Sequence, residues 1–155
     1  MIIHYIYINA NNVYDTNTEY FANVKVLHKN YYKDMDNVRY YTYVDILELL
    51  YEYDEELCWF FYHINHRYAA LLADIGRYII LYKYGGMYHD LRFMSNINEN
   101  NLNYNSTFVA EICPNDPYRV RNGNILLLQT KHPSLDNILQ RIKSKLILTK
   151  IENWK

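Results

Sequence analysis

The stretch "YAALLADIGRYIILYKYGGMYHDLRF", residues 68–93, concentrates the chain's chemistry-bearing side chains at regular spacing. Asp74 and Arg77 stand three apart on a helical pattern and share a face with Tyr78 and Leu81. An ion pair of this kind on a helix surface is worth roughly 0.2–0.5 kcal/mol. Further on, Tyr88 and Asp90 are two apart, so on a strand they point to the same side. Arg92 then stands where a second carboxylate would complete an Asp-x-Asp pair. Paired carboxylates suit Mg²⁺ and Mn²⁺, which take oxygen ligands. The stretch therefore reads either as a metal site with one ligand exchanged for a cation or as the start of a buried strand. His89 falls on the other strand face and is not read as a ligand.

Competing constellations are weaker. His63 and His66, with His89 beyond, offer no fourth zinc ligand at a convincing spacing. "DEE" at 54–56 reads as a solvated helix start, and "WFFY" at 59–62 as core. The chain has no P-loop, no GxGxxG and no Ser–His–Asp order. Cys58 and Cys113 form no short-spaced pair, which excludes a CxxC redox site and a zinc ribbon and leaves two half-buried thiols.

Positioning these residues requires strands and helices in alternation. Ile2–Ile8 reads as a strand, 19–31 as a weakly amphipathic helix and 38–44 as a β-branched, aromatic strand. Asp45 is placed to cap a helix over "ILELLYEY", and 55–64 forms another. The strongest helix runs from His66 to Tyr84, with Ala69, Leu72, Ala73, Gly76, Ile79 and Ile80 on one face. Its small residues allow close packing on a sheet, and Gly85 stands where a left-handed cap belongs. "MYHDLRFM", 87–94, reads as a strand, 95–105 as a polar loop, 107–113 as a strand, "PNDPY" as a turn and 124–130 as a strand. An amphipathic helix beginning at "HPSL" closes the chain, with Pro133 tolerated in its first turn. This order predicts one α/β domain over 1–155 with a mostly parallel, mixed sheet flanked by helices. Ligands of such sheets bind beyond the strands' carboxyl ends, which directs attention to Asp90 and Arg92.

Composition narrows the class. Nineteen tyrosines among 155 residues put hydroxyls on much of the apolar surface, which suits half-wet clefts as well as cores. A formal net charge of -1 leaves no global basic footprint for nucleic acid. There is no run of about 20 apolar residues and no leader-like N-terminus, so the expectation is a cytoplasmic protein without a membrane span. Asn105 begins a glycosylation sequon that matters only on a secretory route.

The order Ala70, Ala73, Asp74, Arg77, Tyr78, Leu81, Gly85, Gly86, Tyr88, Asp90 resembles glycosyltransferase family 32, of GT-A type, with its DXD sugar-binding region. "IIHYIYIN" is similar to that family's first strand, and "NGNILLLQTKHPSLDNIL" to its later strand and "HP" helix. The likeness covers about residues 2–142 and is sharp over 70–93. It implies a GT-A-like nucleotide-sugar fold and transfer of a sugar from a UDP- or GDP-sugar to a glycan or other hydroxyl acceptor, with retention. It implies that Asp74, Arg77 and Tyr88 contact the nucleotide-sugar, that Gly85 and Gly86 shape its site, and that Tyr7, at a family Trp, stacks on the base. Asp90 would hold the ribose or the metal's water shell. Asn122 or Asn124 matches an Asn near the reacting sugar, the register being open between them.

Arg92 departs from this pattern, because the family's second carboxylate normally ligates Mn²⁺ or Mg²⁺. Two unit charges 4 Å apart interact by about 4 kcal/mol at an effective dielectric of 20, so a guanidinium aimed at the metal seat would exclude the metal. Arg92 would then neutralise the diphosphate itself, or the site is silent, or Arg92 points away. The chain is also short beyond the "HP" helix. Alternatives to the transferase are therefore a catalytically inactive binding or structural remnant and a sugar-nucleotide hydrolase. Self-pairing into a dimer is a further expectation.

Overall fold

A computed structural model describes residues 1–95, 109–113 and 115–149. Five strands are seen: β1 (Ile3–Ile6), β2 (Val38–Tyr41), β3 (Gly86–His89), β4 (Val109–Cys113) and β5 (Asp116–Leu127). The helices are α1 (Glu19–Tyr31), α2 (Tyr43–Tyr53), α3 (Glu55–His63), α4 (Ala69–Tyr84) and α5 (Pro133–Leu148). The loop expected at 95–105 lies outside the described residues beyond Ser95, as do the Asn105 sequon, Pro114 of the expected turn and the Cys113 side chain.

The sheet order is β2-β1-β3-β5-β4. β1 pairs in parallel with β2 and β3, while β5 is antiparallel to both β3 and β4. Four strands thus run one way and β5 alone opposes them, which gives the α/β class and a mixed sheet. From β1 the chain moves first to β2 and then back across to β3. The reversal creates a switch point between β1 and β3, and the crevice beyond their carboxyl ends is the natural ligand position.

Strand alternation assigns the two faces. Tyr5 of β1 and Tyr7 just beyond it point towards α1, where Tyr5 stacks on His28 at 4.1 Å and Tyr7 on Phe21 at 4.3 Å. His4 and Ile6 point to the other face. There Ile6 joins Ile46, Leu57, Leu72, Ile79, Tyr88, Ile125 and Leu139 in the main core beneath α2, α3, α4 and α5. Gly76 makes the close packing possible: a Cβ there would stand 2.5 Å from Ile46 Cδ1 and 3.0 Å from Ile6 Cδ1.

Several elements differ from the sequence reading. The long helix begins with a 3₁₀ turn at His66–Tyr68 before α4. Thr42, and not Asp45, caps α2; Asp45 is the third residue of a capping box and returns a bond to the Thr42 amide. β3 stops at His89, because the chain turns there and the Phe93 amide bonds back to the Asp90 carbonyl at 2.8 Å. Asp90 is thus the first residue past the strand. Gly85 has φ +60° and ψ −169°, a region that essentially only glycine occupies, rather than the left-handed helical cap expected. Gly86 follows with φ +101°. A Cβ on Gly85 would meet the Leu128 carbonyl oxygen at 2.6 Å, and one on Gly86 the Ile2 carbonyl oxygen at 2.5 Å.

Buried histidines lace the layers together. His4 Nε2 donates to the Gly85 carbonyl at 2.7 Å, so Nδ1 accepts from the Tyr41 hydroxyl at 3.1 Å. Burial pushes His4 down to about 4, with the Gly85 bond opposing and the Arg39 charge adding to the fall. The unfolded chain therefore takes up a proton near pH 6.5 that the folded protein refuses until about pH 4. Stability rises with pH across that window and is lost as pH falls through it. His4 alone should contribute a loss of about 1.5 kcal/mol between about pH 6.5 and about pH 5. Urea unfolding at the two pH values, for the native chain and for His4→Gln, checks this: the variant should show a shallower pH dependence.

Candidate functional site

Helix α4 and strand β3 are joined by the Gly85 turn and run back to back. The eight residues from Arg77 to Gly85 climb ~12 Å of helix, and the four from Gly86 to Asp90 return ~13 Å of strand. This match of rises brings Arg77 level with Asp90 at the carboxyl end of the parallel strands. The spacing of the motif is the spacing that this hairpin needs.

Arg77 is the hub. It is only 5% exposed. Its Nη2 lies 2.6 Å from Asp74 Oδ1 and 3.6 Å from Asp90 Oδ1. Nη1 donates to the Asn122 carbonyl and Nε to the Ala73 carbonyl at 3.4 Å. The guanidinium also lies over the Tyr88 ring, 4.7 Å from its centroid. The pair with Asp74 is therefore not the surface ion pair that helical spacing alone suggested: one partner is buried and the other is about half exposed. Burial raises the Asp74 carboxyl above its usual range; Arg77 opposes the rise and Asp90 adds to it.

Tyr88 donates to Asp90 Oδ1 at 3.0 Å, which keeps the carboxylate on the α4 side. Burial raises the Tyr88 phenol, so it remains a donor throughout the physiological range. Strand β5 completes the site. The Ala110–Ile125 pairing is followed by Glu111–Arg121, so the register of β5 against β4 shifts across residues 122–124. This irregularity lets the neighbouring positions aim differently. Asn122 Nδ2 donates to Asp74 at 3.3 Å. Asn124 instead pairs its side chain with His89 at 2.6 Å on the α1 face. Of the two candidate asparagines, Asn122 stands in the Asp74–Arg77–Asp90 cluster and Asn124 does not.

Other expected residues fall elsewhere. Arg92 turns to α1, where its Nε donates to the Tyr20 hydroxyl at 3.2 Å and its guanidinium lies 5.5 Å from that ring's centroid. Tyr7 is 8% exposed, has Phe21 against its face and bonds Thr18 Oγ1 through its hydroxyl, so little ring remains to stack on a base. Gly85 and Gly86 lie at the opposite end of β3 from Asp90 and act through the turn, not through contact with a ligand beside Asp90.

The sequence reading missed three supports. The Gly123 carbonyl accepts from the Asp90 amide at 2.7 Å, and a Cβ on Gly123 would lie 2.5 Å from Asp90 Oδ2. His28 Nε2 donates to the Leu91 carbonyl at 2.9 Å, and the Tyr5 hydroxyl donates to the Phe93 carbonyl at 2.7 Å. These bonds strap the turn after Asp90 to the α1 face. The visible signal was a histidine in helical register with Phe21 and Val24.

The family described as glycosyltransferase sugar-binding region containing DXD motif matches residues 5–109, which span both Asp74 and Asp90. The chain belongs to this family. Neither the curated proteins nor the solved structures yielded a match. No helix among the described residues is long and apolar enough to cross a membrane.

The donor set is a poor match for the family's divalent cation. The two nearby carboxylates, Asp74 and Asp90, already share a guanidinium, and Arg92, two residues beyond Asp90, is a further cation. Among the described residues no group of three or more His, Cys, Asp or Glu side chains could hold a metal ion. Mg²⁺ and Mn²⁺ call for several oxygen ligands in near-octahedral order. These residues do not fit such an ion.

Two variants probe the hub. Arg77→Met should lose about 2 kcal/mol in urea unfolding, because it leaves the Asn122 carbonyl and two adjacent carboxylates without their donor; half-exposure of the carboxylates limits the loss. Gly123→Ala should retain nearly all its stability yet displace the Asp90 side chain, visible as a changed Asp90 carboxyl resonance by NMR.

Proposed function

We propose that the chain is a hexosyltransferase that moves a sugar from a UDP- or GDP-sugar to a hydroxyl acceptor with retention. One observation carries this reading: Asp74, Arg77, Tyr88, Asp90 and Asn122 converge at the switch point of a sheet whose sequence belongs to a sugar-binding family. Carboxylates and amides at that position suit sugar hydroxyls, to which Asp74 and Asp90 accept hydrogen bonds. Arg77 holds both carboxylates in place, and Tyr88 fixes the Asp90 rotamer.

Departure of the nucleoside diphosphate breaks the bond between the sugar's anomeric carbon and a phosphate oxygen. The acceptor oxygen forms the new bond and its proton leaves with the diphosphate. Charge builds on the leaving oxygen, and a positioned cation stabilises it. Arg92 fills that role in our reading by leaving Tyr20, an exposed contact that is inexpensive to break. No step passes through a metal.

Calorimetric titration with UDP, GDP and UDP-glucose in EDTA tests the proposal. Binding should persist in EDTA, weaken at least about tenfold in Arg92→Ala, which is about 1.4 kcal/mol or more, and fall further in Asp90→Asn. Binding that appears only with Mn²⁺ would show that another ligand restores the metal seat. Absence of binding to every nucleotide would leave a silent member of the fold.

A further inference from the structure

The hairpin of α2 and α3 buries Ile46, Leu49, Leu50, Leu57 and Phe61, yet its outer side is also apolar. There Tyr51, Trp59 and Tyr62 are 61%, 52% and 53% exposed. They line an open groove of about 690 Å³ between the two helices. The charged side chains in its described lining are Glu48, Glu52 and Glu55, all acidic. Glu52 is already paired with Lys83 of the same chain, so the rim's negative charge rests chiefly on Glu48 and Glu55.

Three exposed aromatics lining one groove, Tyr51 from α2 and Trp59 and Tyr62 from α3, make an exposed apolar patch of the kind that marks an interaction surface. Aromatic side chains in grooves between helices are the usual anchors of protein contacts. A groove lined from two helices fits a third helix that lays its apolar stripe into it. The carboxylates on the rim require that helix to bring positive charge on both sides of its stripe. We infer that the groove docks a cationic amphipathic helix from another protein. This contact is independent of the sugar site: it uses none of the residues around Arg77.

Trp154→Phe leaves Trp59 as the sole tryptophan, since the chain has two. That chain would be titrated with a peptide of about 18 residues, made of Leu and Lys in helical register, and with its Leu/Glu counterpart. The Lys peptide should cause a saturable blue shift of Trp59 emission, and the Glu peptide none. Glu48→Gln with Glu55→Gln, and separately Tyr51→Ala, should each weaken binding at least about tenfold while circular dichroism stays unchanged. An equal response to both peptides, binding that the variants do not alter, or no saturable shift would overturn the inference. So would a dimer in sedimentation that Trp59→Ala abolishes, because the occupant would then be a second copy of this chain. Shielding of Trp59 from acrylamide before any peptide is added would equally overturn it, because the chain would be covering its own groove.

Discussion

A guanidinium that is almost wholly buried must find a partner for each of its donors, and the site is arranged around that requirement. Arg77 meets it with the Ala73 carbonyl on its own helix, the Asn122 carbonyl on β5 and the carboxylates of Asp74 and Asp90. Three elements that are distant in sequence are thereby fixed to one point. Burying a charge is tolerable only with such pairing. The same pairing fixes the carboxylates' orientation, which a sugar-binding site needs independently of stability. The flat face of Tyr88 beneath the guanidinium supplies a further contact without competing for its donors.

A second set of bonds governs the segment just beyond. The turn after Asp90 would be loose if it rested on the sheet end alone. His28 and Tyr5 hold its carbonyls from the α1 side, and Tyr5 also shares a short hydrogen bond of 2.6 Å with Tyr32. Burial lowers His28 and raises Tyr5, so both stay neutral and keep their donors near neutral pH. The high tyrosine content takes on a structural meaning here: phenols fill the space between α1 and the sheet while still reaching backbone carbonyls. The two faces divide the work. The α4 face holds the charged groups, and the α1 face steadies the chain that presents them.

How much of this was legible in the sequence follows the range of the interactions. Helix α4, its glycine stop and the strand after it are set by local periodicity and by backbone angles that only glycine tolerates, and they stand close to where the pattern put them. Asp74, Arg77 and Asp90 were grouped in the sequence only through the family resemblance; the matching rises of helix and strand account for their convergence once both elements are seen. The end of β3 was not, since Leu91, Arg92 and Phe93 have strand composition while the Phe93 amide closes a turn. Neither the β5 irregularity that separates Asn122 from Asn124 nor the grip of His28 on Leu91 follows from one segment's pattern. Each depends on a partner far away along the chain. Tyr7 shows the opposite risk: its position suited a ligand platform, but Phe21 on a separate helix takes the face.

Arg92 gains its meaning from counting charge. With an aspartate at position 92, that carboxylate, Asp74, Asp90 and Arg77 would sum to two negative charges, repelling a diphosphate unless a divalent cation intervened. Arginine there changes the sum by two units, the charge of one such cation, and on the proposed reading makes the cluster neutral once its side chain moves inward. On the proposed reading, the exchange and the loss of a metal seat are one event, since either alone would leave the site mismatched to its ligand. A guanidinium on a long stem also differs from a bound ion in where it rests. With Tyr20 it has a parking place outside the cluster, held by one hydrogen bond and a ring face, and moving it inward requires rotation of a side chain rather than recruitment of a cofactor. The position that looks most degenerate in the motif is thus the one that would let the remaining residues handle a phosphate-bearing donor unaided.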